Sequence, residues 1–309
     1  MAGTKDFTGM SFASTSFTRA SACVVALLGL CGCAQPGAKP VIHVGSKNFT
    51  EQVVLGEIIA QHLENRLHQR VERSLNLGGT LLAQQALVSH QIDVYPEYTG
   101  TALAVILKDS IDTRPADVLA KVRAGYLQKF HAEWLDPLGI DDSFAMVVKG
   151  PQARAQHLET LTDAAKAPQP WTLGVGYEFE QRADGLQAIE KAYHLRWSGS
   201  PKTMDLGLLY KAMEQGQVTM IAANATDGLL SKMDLTILRD DRQAFPPYQV
   251  CIVARQDALR EIPGMRDALV ELSGKFNNRL MQKMNFQVDV EHRSVAQVAA
   301  EFLKQSGLH

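Results

Sequence analysis

An alternation of short apolar runs with amphipathic stretches constrains this chain more than any other feature. Val41 to Val44 reads as a strand. It is followed by Gly45-Ser-Lys-Asn-Phe-Thr50 and a stretch that puts Val54, Leu55, Ile58, Ile59, His62 and Leu63 on one helical face. Val71 to Leu77 reads as a second strand, turned by Gly78-Gly79-Thr80, with Thr80 expected to cap a helix running to about His90. Ile92 to Tyr95 is a third strand. Strand, helix, strand, helix, strand is the pattern of a parallel sheet covered by helices. It resumes with strands at Phe144 to Val148, Trp171 to Val175, Val218 to Ala223 and Tyr248 to Ala254, helices at Asp184 to Tyr193 and Met204 to Gln215, and further helices covering roughly Met265 to Met284. Ser294-Val-Ala-Gln297 is a capping box that opens a last helix ending before Gly307. At about 100–200 residues per domain, 309 residues predict two packed units.

Charge narrows the function classes. With 31 basic against 33 acidic side chains, the net charge of -2 gives no basic footprint for nucleic acid. The first forty residues stand apart, because Ala20 to Leu30 is a sustained apolar run without a charge. It is too short to cross about 30 Å of hydrocarbon as a helix, and it fits the core of a secretory signal with Arg19 as its positive flank. Leu30-Cys31-Gly32-Cys33 resembles a bacterial lipobox, so residues 1–32 are expected to be a lipoprotein signal, Cys33 the lipidated residue and 33–40 a tether. A start at Met10 gives a signal of more usual length. The fourth cysteine, Cys251, lies in the apolar run Val250 to Ala254 and is expected to be a small buried hydrophobe.

Catalytic patterns are missing. The nine histidines have no metal-protease spacing, and the chain has no GxSxG elbow and no GxxxxGK[ST] phosphate loop. Gly174-Val-Gly176 begins like a dinucleotide fingerprint, but Phe179 stands where the third glycine is needed. Asp141-Asp142 and Asp240-Asp241 are adjacent pairs beside turn signals and are expected to be solvated turn residues. No catalytic residue, metal or cofactor is expected.

The segments Gly45-Ser-Lys-Asn-Phe-Thr-Glu-Gln52, Leu77-Gly-Gly-Thr80, Tyr95-Pro-Glu-Tyr-Thr-Gly-Thr101, Glu178-Phe-Glu-Gln-Arg-Ala-Asp-Gly185, Met204-Asp-Leu-Gly-Leu-Leu-Tyr210, Thr226-Asp-Gly228 and Phe245-Pro-Pro-Tyr248 fall in order along the chain. Together they resemble the osmoprotectant-binding proteins of bacterial ABC importers, the glycine betaine/choline type. The resemblance implies an α/β, two-lobed periplasmic-binding-protein type II fold with the ligand cleft between the lobes. Residues 41–142 plus 254–309 are expected to form the first lobe and 143–253 the second, with chain crossings near Asp142 and Val253 that allow hinge closure. It further implies an extracytoplasmic, lipid-anchored, non-enzymatic monomer. Such a monomer hands a quaternary amine to an ABC permease with its ATPase. A sensor or an envelope enzyme on the same scaffold is the weaker alternative.

A trimethylammonium group has no N–H to donate, so proteins surround it with aromatic faces at about 0.5–2 kcal/mol per cation–π contact. By similarity to the family, the cage falls at Tyr98, Phe144, Asn224 and Tyr248, with the Asp142 backbone carbonyl beside it. The carboxylate falls to Lys47, Thr101 and Arg182. Tyr95, Tyr177 and Tyr210 are expected to pack, with Tyr95 held in reserve for the cage. Phe144 stands where the family usually has tyrosine and keeps a π face. Asn224 replaces another tyrosine with a smaller polar group, which leaves either weak betaine binding or a larger betaine such as carnitine or ergothioneine.

Overall fold

The computed structural model describes residues 40–110 and 112–308. The signal, Cys33 and nearly all of the tether lie outside the described residues. Among the described residues, ten strands form two five-stranded sheets. The first sheet holds β1 (Ile42–Gly45), β2 (Val71–Ser74), β3 (Val94–Tyr98) and β4 (Ala132–Trp134). The second holds β5 (Phe144–Lys149), β6 (Leu173–Val175), β7 (Lys202–Thr203), β8 (Met220–Asn224) and β9 (Leu235–Leu238). The last strand, β10 (Val250–Arg255), returns to the first sheet.

The two sheets follow one plan. In the first, β1 pairs in parallel with β2 and β3, and β10 lies antiparallel between β3 and β4. In the second, β6 pairs in parallel with β7 and β8, and β5 lies antiparallel between β8 and β9. The chain passes to the second sheet between Trp134 and Phe144 and returns between Leu238 and Val250. The return therefore comes earlier than a boundary near Val253: all of β10 belongs to the first lobe. Its run Val250 to Ala254 is fully buried between two neighbours, and an apolar run of that kind suits the interior of either sheet. The crossing segments also pair with each other. Asp141 bridges to Gln249, Asp142 N donates to Tyr248 O at 3.1 Å, and Tyr248 N donates to Asp141 Oδ1 at 3.0 Å.

The helix Thr50–Leu67 fixes the first lobe because it is buried along most of its length, each fully buried aliphatic side chain contributing about 1.5–3 kcal/mol. It packs against the helices Met265–Val270, Asn278–Asp289 and Val295–Gln305. His62, on its apolar face, sets its ring nitrogens against the carbonyls of Ala268 (2.8 Å) and Leu308 (3.3 Å). The helices expected over Met265 to Met284 are Met265–Val270 and Asn278–Asp289, separated where Gly274 at φ +69° turns the chain and Asn277 caps the second. Asn278 also holds the first crossing segment: its Nδ2 donates to Asp141 O at 2.7 Å. Ser294 caps the last helix through Gln297 N. Cys251 is fully buried in β10 with its thiol pushed up to about 12 by burial.

Candidate functional site

One cavity of about 630 Å³ is lined by all eight expected positions: Lys47, Tyr98, Thr101, Asp142, Phe144, Arg182, Asn224 and Tyr248. They come from strand ends and the turns after them in both sheets, the usual place for a ligand in an open α/β sheet.

The positive groups are tied to protein carboxylates. Lys47 follows β1, and its Nζ donates to Glu97 Oε1 at 2.5 Å with both side chains buried. Thr101 ends a single turn directly after β3. Gly100 allows that turn to press on the return segment, since a Cβ there would lie 2.7 Å from Pro247 O. Thr101 Oγ1 accepts from Arg182 Nη2 at 3.0 Å. Arg182 closes the short helix Tyr177–Gln181 and forks onto Asp184, with Nε to Oδ1 at 2.9 Å and Nη2 to Oδ2 at 2.6 Å. Burial works against the guanidinium's charge, yet Asp184 holds its pKa above the ordinary value.

Aromatic rings surround these charges. Phe144, at the start of β5, meets Phe179, Phe245 and Tyr248 edge-on at centroid distances of 4.9, 5.5 and 5.4 Å. Arg182 lies 5.0 Å from the Phe144 ring centre, and Lys47 Nζ lies 4.8 Å from that of Tyr98. The hydroxyls are anchored: Tyr98 donates to Glu51 Oε1 at 2.7 Å and Tyr248 to Asp184 Oδ2 at 2.8 Å. Asn224 ends β8 directly opposite Phe144 in the antiparallel ladder, so the two side chains share a face.

Beside the rings lies a cluster of acids. The Asp141-Asp142 pair is not the solvated turn expected, because the crossing segments bury Asp142 and half-bury Asp141. Asp142 Oδ1 accepts from Thr226 N and Oγ1, each at 2.9 Å, while Thr226 Oγ1 also lies 2.6 Å from Glu51 Oε2. One hydroxyl hydrogen serves only one of two acceptors, so the second contact needs a proton on a carboxyl. Glu51 and Asp142 therefore share a proton through Thr226. Burial pushes Glu51 up to about 7 and holds Asp142 well above the ordinary range, and Asp227 is pushed up to about 6. Asp240-Asp241, by contrast, is a turn pair: Asp241 is exposed, and Asp240 accepts from Ala244 N and Phe245 N at 3.0 Å.

Several contacts were not expected. Thr80 does not cap its helix as expected: it is the first helical residue, Gly79 is the N-cap, and the acceptor for Thr80 N is Glu178 Oε1 of the second lobe at 2.9 Å. Glu178, Arg182 and Thr226 thus bond across the cleft, to Thr80, Thr101 and Glu51. Burial raises the Glu178 pKa, but Lys47, Thr80 N and Arg182 together bring it below the usual value. Tyr177 and Tyr210 were expected to pack, yet both line the cavity; Tyr177 is 57% exposed, and Tyr210 donates to Asp227 Oδ2 at 2.7 Å. Tyr95 is fully buried outside the cavity, with its hydroxyl on Gln84 and Glu97. Glu51, Asp184 and Asp227 lie inside the quoted motifs, which was the available signal. Among the described residues no His/Cys/Asp/Glu group can hold a metal, and no helix is long and apolar enough to cross a membrane.

Residues 40–305 match the family described as the substrate binding domain of ABC-type glycine betaine transport system. The chain belongs to this family. Its members are extracytoplasmic binding components of importers, and their work is binding rather than catalysis. The chain is 30% identical over 285 residues to the carnitine transport binding protein of Listeria monocytogenes, covering 90% of this chain and 92% of that protein. It is 32% identical over 271 residues to an ergothioneine transport permease/ergothioneine binding protein of Helicobacter pylori, covering 87% of this chain and 48% of that longer protein. A solved glycine betaine/carnitine/choline ABC transporter structure superposes with a TM-score of 0.74 at 28% identity, covering 87% of this chain and 99% of its own. The two-lobed fold of this family is the arrangement the two sheets form here.

Proposed function

We propose that the cleft receives a betaine with its trimethylammonium group against Tyr98, Phe144 and Tyr248 and its carboxylate toward Lys47, Thr101 and Arg182. The supporting observation is that all eight positions line one cavity, with the rings on one part of its wall and two cationic side chains beside them. Donor counting agrees with the pose. Arg182 spends four of its five N–H groups on Asp184, Thr101 and Glu178, and Lys47 spends one of three on Glu97. Three N–H groups remain for a ligand carboxylate. Asp142 contributes its backbone carbonyl to the methylammonium shell, while its side chain holds Thr226. The loaded receptor, a monomer, delivers the solute to a permease with its ATPase and is held at the membrane by lipid on Cys33.

Titration calorimetry of the full chain with glycine betaine, choline, carnitine and ergothioneine tests the pose. At least one of the four is expected to bind at micromolar concentration or below. A uniformly silent panel rejects the cleft as a betaine site. Lipid labelling in cells that is lost in Cys33→Ser tests the anchor.

A further inference from the structure

The pose above leaves part of the cavity wall unused, and that part is polar. Asn285, from the helix Asn278–Asp289, is 2% exposed; its Nδ2 donates to Thr226 O at 2.9 Å while its Oδ1 has no hydrogen-bond partner. A buried acceptor left without a partner is destabilising until a donor reaches it. Asp227 accepts from Tyr210 and from Asn224 N, both on Oδ2, and its Oδ1 takes no hydrogen bond from the described residues. The Asn224 carboxamide is half-buried and bonds to none of them either. All three residues line the same cavity as the aromatic rings. Two of the uncommitted atoms are acceptors only, and the third residue can accept as well as donate.

Glycine betaine cannot satisfy these atoms, because neither its methylated nitrogen nor its carboxylate carries a hydrogen to donate. We infer that Asn224, Asp227 and Asn285 form a second subsite that takes an N–H or O–H donor on the solute. The physiological ligand is then a betaine with a hydroxyl or ring N–H beyond its trimethylammonium and carboxylate groups. The inference rests on the betaine pose above. A small residue at 224 is part of the device, since a tyrosine beside Phe144 would fill the space the extra group needs. The size of the cavity agrees, because about 630 Å³ is in the range that holds drug-sized molecules rather than the smallest solutes.

The test compares ligands first, which needs no variant to fold. Calorimetry of the full chain is run with glycine betaine, with carnitine (hydroxyl), with O-acetylcarnitine (hydroxyl masked) and with ergothioneine (ring N–H). The expected result is that carnitine or ergothioneine binds at least ten-fold tighter than glycine betaine, and that any advantage of carnitine falls at least ten-fold on acetylation. Asp227→Asn should then weaken the favoured ligand at least five-fold more than it weakens glycine betaine, and Asn224→Tyr should reverse the ranking. Glycine betaine binding as tightly as every donor-bearing ligand overturns the subsite and leaves the betaine pose standing. Equal losses for all ligands in Asp227→Asn also overturn it. No binding by any betaine overturns the pose itself.

Discussion

The two ends of the cleft are wired in opposite ways. At the Lys47–Arg182 end each charge is committed: Lys47 to Glu97, Arg182 to Asp184 and Thr101, Tyr98 to Glu51 and Tyr248 to Asp184. At the Asn224 end, a carboxamide and two acceptor oxygens have no partner among the described residues. The first end is held rigid by the protein itself, so its geometry precedes the ligand. The second end is completed only by what enters. Affinity for any quaternary amine should therefore depend on the first end, and choice among such amines on the second.

The largest effect should come from breaking the committed end. Arg182→Ala leaves Asp184 buried without its ion partner, and removing one member of such a pair costs about 3–5 kcal/mol. Denaturant unfolding should show that loss, and betaine and choline binding should both collapse. The double variant Arg182→Ala/Asp184→Ala should recover stability without recovering betaine affinity. A single variant as stable as the parent would show that Asp184 does not depend on Arg182.

Next in size is a pH effect from the shared proton. Glu51 in the folded chain is raised to about 7, above its ordinary value of 4.5, so the protonated form is the stabilised one. Burial and the charge of Asp227 raise it, while the hydrogen bonds from Thr226 and Tyr98 and the charge of Lys47 oppose the rise. The contribution is complete below the ordinary carboxylate range and is lost as pH rises through about 7. It weakens by up to about 1.4 kcal/mol per pH unit between the ordinary value of 4.5 and about 7, and levels off above that point. Stability of the chain should fall between about pH 4.5 and pH 7, and Glu51→Gln should flatten that fall. A profile unchanged by Glu51→Gln places the proton elsewhere.

Smaller effects separate the two ends more finely. Phe144→Ala removes a ring shared by every cationic ligand, so binding should weaken by about 0.5–2 kcal/mol whether or not the ligand has a donor. A loss confined to donor-bearing ligands would mean that Phe144 belongs to the second subsite. Glu178→Gln removes the charge that meets Thr80 across the cleft, and at a half-exposed position this should be worth about 0.5–1 kcal/mol. Small-angle scattering should find the unliganded variant more open than the parent.

Much of the scaffold was legible because period and turn chemistry agree. Val41 to Val44 alternates with buried neighbours, and the Ser294 cap stops the chain where a helix must begin. The helix Pro115–Phe130 is not among the expected elements, although Val118, Val122 and Tyr126 sit at four-residue spacing behind a starting proline. Strand β3 runs to Tyr98 rather than Tyr95, because Pro96 is tolerated where it meets Ile252 of β10, a partner more than 150 residues away. The eight site positions were reached through motif resemblance. Their partners were not, since a carboxylate reads as buried or solvated only once its neighbours are known. Asp142 shows this most plainly: beside a turn signal it reads as surface, and only Thr226, 84 residues on, reveals it as a buried anchor at the chain crossing. Glu51 meets the same threonine across 175 residues.

The two sheets share a strand order but not a chain history. Every strand of the second sheet lies between residues 144 and 238, so that lobe can complete its hydrogen bonding as soon as those residues exist. The first sheet must wait for β10, which inserts between β3 and β4 only after the whole second lobe has been made. Until then β3 is an open edge beside β1 and β4 has no strand partner, and closing them requires a loop of more than 100 residues, an entropically slow contact. The consequence is an order of assembly. During refolding, amides of β5, β8 and β9 should gain protection from hydrogen exchange before those of β3 and β4, and the half of the cleft that carries Lys47, Tyr98 and Thr101 should be the last to form.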